Sequence, residues 1–161
     1  MPSSIRAIAL AVAIAAATPA LAAERVAVFD AELHDTSGEG VRDDQQRRLA
    51  LLTGELRDAL AGSGRYQLVD IAPLRERLAT GPSLRSCGTC LPAAATELGA
   101  ELALLPVVNK VSNLIISITL VQVEAGGARR AVHSAEIRGN TDESWLRGLR
   151  WLLRNRLLRQ G

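Results

Sequence analysis

The stretch DDQQRRLALLTGELRDALAGSG, residues 43–64, constrains the fold more than any other part of this chain. Leu49, Leu52, Leu56, Ala59 and Leu60 recur at helical spacing, while Arg47, Arg48, Glu55 and Arg57 fall mainly elsewhere, so the segment reads as a helix with one apolar stripe. Asp43 and Asp44 suit its N-terminal end, where capping and the helix dipole favour carboxylates, and Gly62 and Gly64 mark its stop. Before it, RVAVFDAEL predicts a buried strand over residues 26–33, with Phe29, Ala31 and Leu33 on one face and Asp30, Glu32 and His34 on the other. After it, YQLVDI predicts a second strand over residues 66–71. Strand, helix and strand in that order imply a parallel pair joined by a right-handed crossover.

The remaining segments extend this unit. APLRERLATGP predicts a short helix with Pro73 in its first turn, and LPAAATELGA predicts another that starts after Cys90 and closes at Gly99. ELALLPVVNKV and LIISITLVQVE read as two strands joined in a hairpin at Ser112 and Asn113. Pro106 cannot donate to a ladder and so marks a bulge or an unpaired edge. AVHSAEIR supplies the last strand. The chain closes on a helix in NTDESWLRGLRWLLRNRLL, with Asn140 and Glu143 at capping-box spacing and Trp145, Leu149, Leu152 and Leu153 as its packing stripe. The order β-α-β-α-α-β-β-β-α defines a single-domain α/β fold. Its mixed sheet has about five strands, the first three parallel and the last two antiparallel, covered by helices.

The N-terminus has a different composition. In MPSSIRAIALAVAIAAATPALAA, Arg6 precedes an apolar run, Pro19 breaks it, and Ala20 and Ala22 place small residues where a signal peptidase cuts. Residues 1–22 are therefore expected to be a signal peptide and residues 23–161 a soluble periplasmic domain. The apolar run is shorter than the ~20 residues that span a bilayer. No cysteine stands at the cut, so lipid attachment there is not expected. The formal net charge of +2 and an aromatic content of 2% give no electrostatic or stacking case for nucleic acid.

SCGTCLP holds both cysteines of the chain, Cys87 and Cys90. Zinc needs four ligands, or three and a water, and only His34 and His133 remain to add nitrogen. A thiol–disulfide exchange site is the stronger chemical alternative, but such sites follow a strand directly, and this pair follows the loop TGPSLRS. A disulfide formed in an oxidising compartment and stiffening its loop is the expected state. His34 and Asp35, in the acid-rich loop after the first strand, form a candidate ligand site, because ligands of open α/β sheets sit beyond the strands' carboxyl ends. DTSGEGVRDD lacks the oxygen spacing of a calcium loop, and Gly38 and Gly40 lack the lysine of a phosphate-binding loop. No serine lies in a nucleophile elbow. Arg147, Arg150 and Arg154, with Trp151 near that face, form a candidate partner surface on the last helix. No metal, cofactor or catalytic residue is assigned.

RVAVFDAEL, LTGELRDALAGSGRYQLVD and LGAELALLPVVNKVSN together resemble the N-terminal domain of TolB and the curli-secretion-type envelope domains. NKVSNLIISI and RGNTDESWLRGLRWLLRN extend the likeness, over nearly the whole mature chain, to an uncharacterised family of secreted proteobacterial proteins. Members of that family are sometimes found with periplasmic quinoprotein dehydrogenase systems. The resemblance implies an envelope compartment and an accessory or binding role without catalysis, toward an envelope or periplasmic dehydrogenase partner. It carries no catalytic residues across. The alternative is a small thiol–disulfide oxidoreductase working through Cys87 and Cys90.

Overall fold

The first apolar run forms a strand that is broken in the middle. The computed structural model describes residues 22–40, 42–127 and 130–159, so residues 1–21 of the expected signal peptide lie outside the described residues. β1 (Glu24–Val28) and β2 (Glu32–Asp35) both run parallel to β4 (Leu102–Lys110). Val28 stands opposite Leu104, but Glu32 stands opposite Val107, so the first line of chain holds one extra residue between those points. That is a β-bulge. Phe29 N–H donates to Leu104 O at 2.9 Å and Thr36 N–H to Lys110 O at 2.9 Å, which shows that even-numbered β4 residues turn their backbone to this side. Pro106 therefore sets its missing N–H at the bulge, where the ladder is already interrupted.

The extra residue also reverses which side chains face which layer. Val26 and Val28 pack on one face and Ala27 and Phe29 on the other; beyond the bulge, Ala31 and Leu33 join the Val26 side. The unbroken alternation expected for residues 26–33 fails for this reason. Phe29 does not share a face with Ala31 and Leu33.

α1 (Asp43–Gly62) and β3 (Tyr66–Val69) complete the expected crossover, with β3 parallel to β1. A single 3-10 turn (Ala72–Leu74) leads into α2 (Arg75–Thr80), and α3 (Cys90–Glu97) follows. α3 starts at Cys90 itself, with Pro92 inside its first turn, where a missing N–H costs nothing. β5 (Ile116–Glu124) and β6 (Arg130–Ile137) add antiparallel to β4, giving the order β3-β1-β4-β5-β6 with β2 alongside β4. α4 (Asp142–Leu152) ends in a wide turn (Leu153–Leu157) in which Leu158 N–H reaches Leu153 O at 2.8 Å. The mixed α/β sheet covered by helices is thus the predicted one, with its first strand divided.

Two cores lie on the two faces. α1 and α4 bury Leu52, Leu56, Leu60, Trp145, Leu149 and Leu152 against Val26, Leu104, Ile118 and Leu120. Each buried leucine contributes about 2 kcal/mol by removal from water. On the other face, the 3-10 turn and α3 cover Ala27, Phe29, Ala103 and Leu105 with Leu74, Leu91 and Ala95. α4 lies so close to the sheet that a Cβ on Gly148 would stand 2.4 Å from Ile137 Cγ2. Its cap is Thr141, whose Oγ1 accepts from Ser144 N–H at 3.2 Å, one residue later than the Asn140–Glu143 box expected. Asn140 Oδ1 is occupied elsewhere, accepting from Trp145 Nε1 at 3.1 Å and Arg48 Nη1 at 3.2 Å.

Candidate functional site

Beyond the carboxyl ends of β2 and β4 lies a polar cluster centred on Lys110. Lys110 occupies an even position of β4, so its side chain turns toward α1 with those of Leu104 and Val108 and is 0% exposed. Its Nζ donates to Asp35 Oδ2 at 3.1 Å, Ser37 Oγ at 3.1 Å and Glu39 Oε2 at 2.7 Å, which uses all three of its protons. Asp35 also accepts from Ser37 N–H at 2.8 Å, Ser37 Oγ at 2.6 Å and Gln45 Nε2 at 3.2 Å. These bonds, the Ser37 hydroxyl first, hold its carboxyl down at about 2 despite desolvation. Burial works against the charge on Lys110, but the bonds and charges of Glu39 and Asp35 together raise its pKa.

The network continues across the molecule. Glu39 Oε1 accepts from Asn113 Nδ2 at 2.8 Å, and Asn113 Oδ1 accepts from Asn140 Nδ2 at 2.8 Å. Arg48 then links Asn140 to Asp142, at 2.8 Å, and to Asp44, at 2.9 Å. Four segments are joined in this way: the loop after β2, the β4–β5 hairpin, the start of α4 and the start of α1. Among the described residues no buried side-chain nitrogen or oxygen lacks a partner. A carboxylate held near pH 2 and a fully bonded ammonium are poor proton carriers at neutral pH.

His34 and Asp35, the expected ligand residues, both line a cleft with Leu33, Gly38 and Gly40, and their side chains leave β2 on opposite sides. Successive strand residues face opposite sides, so Asp35 enters the cluster while His34, opposite Asn109, is exposed on the other face of β2. His133 is half-buried opposite Leu120. Among the described residues no three His, Cys, Asp or Glu side chains converge as a metal site. Lys110 itself was missed from the sequence. Its signal was parity: in LALLPVVNK it shares the inward register of Leu104 and Val108.

Cys87 and Cys90 are joined in a disulfide, both half-buried, at the start of α3 with their Cα atoms 5.4 Å apart. The loop before them is anchored separately. The Glu32 carboxylate accepts from Ser83 Oγ at 2.5 Å, Leu84 N–H at 2.7 Å and Arg85 N–H at 3.2 Å.

The expected partner surface on the last helix divides. Arg150 lies against α1, bonded through Nε and Nη2 to both oxygens of Glu55 at 2.7 and 3.1 Å. Arg150 is nonetheless exposed, as are Arg147, Trp151 and Arg154; Trp151 is 41% exposed, with the Arg156 guanidinium 5.6 Å from its ring. Trp145, by contrast, is core. At the hairpin tip Leu114 and Ile115 are 76% and 62% exposed, beside an exposed Val111. Ser112 Oγ fixes their backbone by accepting from both N–H groups, at 3.2 and 3.1 Å. The alternating pattern of the hairpin gave no sign of this apolar tip, because strand parity ends where the turn begins.

A helix-covered mixed sheet with a polar knot at its strand ends and an apolar rim is the class of architecture these residues define. The chain belongs to the DUF3280 family, described as protein of unknown function (DUF2380), which matches residues 24–157. No curated protein matches the sequence. Among solved structures the fold is similar to the LpoB C-terminal domain from Salmonella enterica, at 16% identity and a TM-score of 0.53 over 76% of this chain and 87% of that one. An NMR structure of E. coli LpoB gives 16% identity and a TM-score of 0.54 over 74% of this chain and 58% of that one. Lipoprotein GNA1162 from Neisseria meningitidis gives 14% identity and 0.51 over 84% and 97%. At these identities the likeness is one of fold. No helix among the described residues is long and apolar enough to cross a membrane.

Proposed function

We propose that the protein is a non-catalytic accessory domain of the bacterial envelope, exported by residues 1–22 and acting in the periplasm by binding another protein. The partner is an envelope protein or a periplasmic dehydrogenase, as the resemblance to TolB-type and curli-secretion-type domains and to secreted proteobacterial proteins implies. One observation carries this reading. The charged groups at the strand carboxyl ends satisfy one another around Lys110, while aromatic and basic side chains on the outer face of α4 are left to solvent. Arg147, Trp151 and Arg154 form the contact surface, since an exposed indole flanked by guanidiniums is a typical anchor. Arg150 is left out of it because Glu55 holds it.

A photo-crosslinking residue placed at Trp151 or Arg154 in intact cells tests the reading. The expected result is a discrete adduct with an envelope protein that is absent when the probe stands at Thr80, an exposed position on α2. Equal labelling at all three positions would sink it. The alternative, exchange chemistry at Cys87 and Cys90, predicts reduction of a disulfide substrate by the reduced protein, at a rate lost in the Cys87→Ser, Cys90→Ser variant.

A further inference from the structure

We infer that the outer edge of β6 takes an extended, acidic segment of the partner as an added strand, whose carboxylates meet the guanidiniums beside Trp151. This rests on the accessory reading and names the chemistry of its partner. Among the described residues no strand pairs with the outer side of β6. Ladder parity shows which groups that edge presents. Even residues of β4 turn their backbone to β1 and β2, so odd ones turn to β5; through the registers Lys110–Ile116 and Ile116–Ile137, odd residues of β6 then bond β5. The N–H and C=O groups of Val132, Ser134 and Glu136 consequently point outward. Such an edge is normally blunted by proline, by charge or by shortness. β6 holds eight residues, RAVHSAEI, without proline, and of those three outward positions only Glu136 is charged; β3, at the opposite edge, holds four residues.

Charge complementarity selects the occupant. Odd residues of β6 turn their side chains toward α4, Ala135 and Ile137 lying in one layer with Trp145 and Leu149. Ser134, Ala135 and Ile137 line a cleft with Arg147, Gly148 and Trp151 of α4, and Arg138 stands in its wall. A strand added to β6 sends every second side chain to this side. Arg138 is exposed, with no ion-pair or side-chain hydrogen-bond partner among the described residues. Arg147 has an exposed pairing with Glu143 at 3.7 Å, too loose to hold it against a better-placed carboxylate. Glu136 is even and leaves β6 on the opposite face with Val132 and Ser134. The segment is therefore acidic at alternate positions, those facing α4, and free of acid at the positions beside Glu136.

A second copy fits this edge poorly. Two β6 edges paired antiparallel would put both α4 helices on one face of the joined sheet, because α4 packs over β6 through Gly148 and Ile137. Each of those helices carries exposed Arg147 and Arg154, so like charges would be brought together. An acidic segment reverses the sign of that interaction.

The test compares the adduct formed in intact cells by the photo-crosslinking residue at Trp151 in three chains: one otherwise native, one with Ser134→Pro and one with Arg147→Glu. Ser134→Pro removes an N–H that the native sheet does not use, and proline is tolerated at such edge positions. The added strand loses that donor, so the adduct should fall about tenfold. Val132→Pro, at the next outward position, repeats the reading on the same edge. Arg147→Glu sets a carboxylate against the segment's own, and the adduct should again fall about tenfold. Thermal melts of the purified variants check that each is folded. If the native chain gives no adduct, the accessory reading fails and this inference fails with it. A native adduct that either kind of folded variant leaves at full yield keeps the accessory reading and overturns this inference alone. An adduct made of two copies of this chain overturns it as well.

Discussion

A lysine with no solvent exposure keeps its charge only because Asp35 and Glu39 face it, so removing Lys110 should be among the costliest polar substitutions in the chain. Lys110→Met leaves two carboxylates side by side without a cation. Breaking a buried pair costs about 3–5 kcal/mol, and the partly open Glu39 favours the lower end. A fall of about 3 kcal/mol in unfolding free energy, read from urea titration, is expected. Asp35 is one of the carboxylates that shape the acid limb, with Asp44, Glu55 and Glu97, all held below their ordinary values. Its folded pKa, about 2, lies below the ordinary 3.8, so its stabilisation is present above about pH 4 and is lost as pH falls toward 2. After discount for solvent screening, on the order of 1 kcal/mol should disappear over that window. Asp35→Asn should flatten the acid limb, and an unchanged limb in that variant would assign the acid sensitivity to other groups.

At the scale of elements, the bulge between β1 and β2 depends on α1. Thr53 Oγ1 accepts from Ala31 N–H at 2.9 Å, and Arg57 bonds Val28 O at 2.8 Å and Asp30 at 3.0 Å, replacing partners the ladder cannot supply. Thr53→Val keeps the shape and leaves Ala31 N–H unpaired, at a cost of about 1–3 kcal/mol in a thermal or urea melt. Gly148→Ala forces a Cβ against Ile137 and should cost a further 1–3 kcal/mol or so by overpacking. A neutral result would show that α4 can slide along β6. The sequence showed α1 fully, because its Leu49, Leu52, Leu56, Leu60 stripe is a local period that needs no partner. The bulge was half visible. Pro106 announced an interrupted ladder, but its place was set by a register between chain segments far apart in sequence, which no window can contain. The shift of the α4 cap from Asn140 to Thr141 has the same origin, since Trp145 and Arg48 claim the Asn140 amide only in the folded chain. His34 and Asp35 are adjacent in β2, so their side chains leave it on opposite sides, Asp35 to Lys110 and His34 to solvent.

Across the whole molecule, the disulfide is a small part of what holds the α2–α3 layer. Closing a ring of so few residues removes only about 2 kcal/mol of unfolded-state entropy. The loop leading to it is held independently by three bonds to Glu32, and α3 buries Leu91, Ala94 and Ala95 against the second face of the sheet. The Cys87→Ser, Cys90→Ser chain should therefore fold, with unfolding free energy lower by at most about 2 kcal/mol. If binding at the outer face of α4 is the function, that chain should also form the same adduct through probes at Trp151 and Arg154. α4 lies on the opposite face of the sheet from α3, and its position is set by Trp145, Leu149 and Leu152. A folded variant that loses the adduct would connect the cysteines to partner choice, and would turn the balance from a staple toward exchange chemistry.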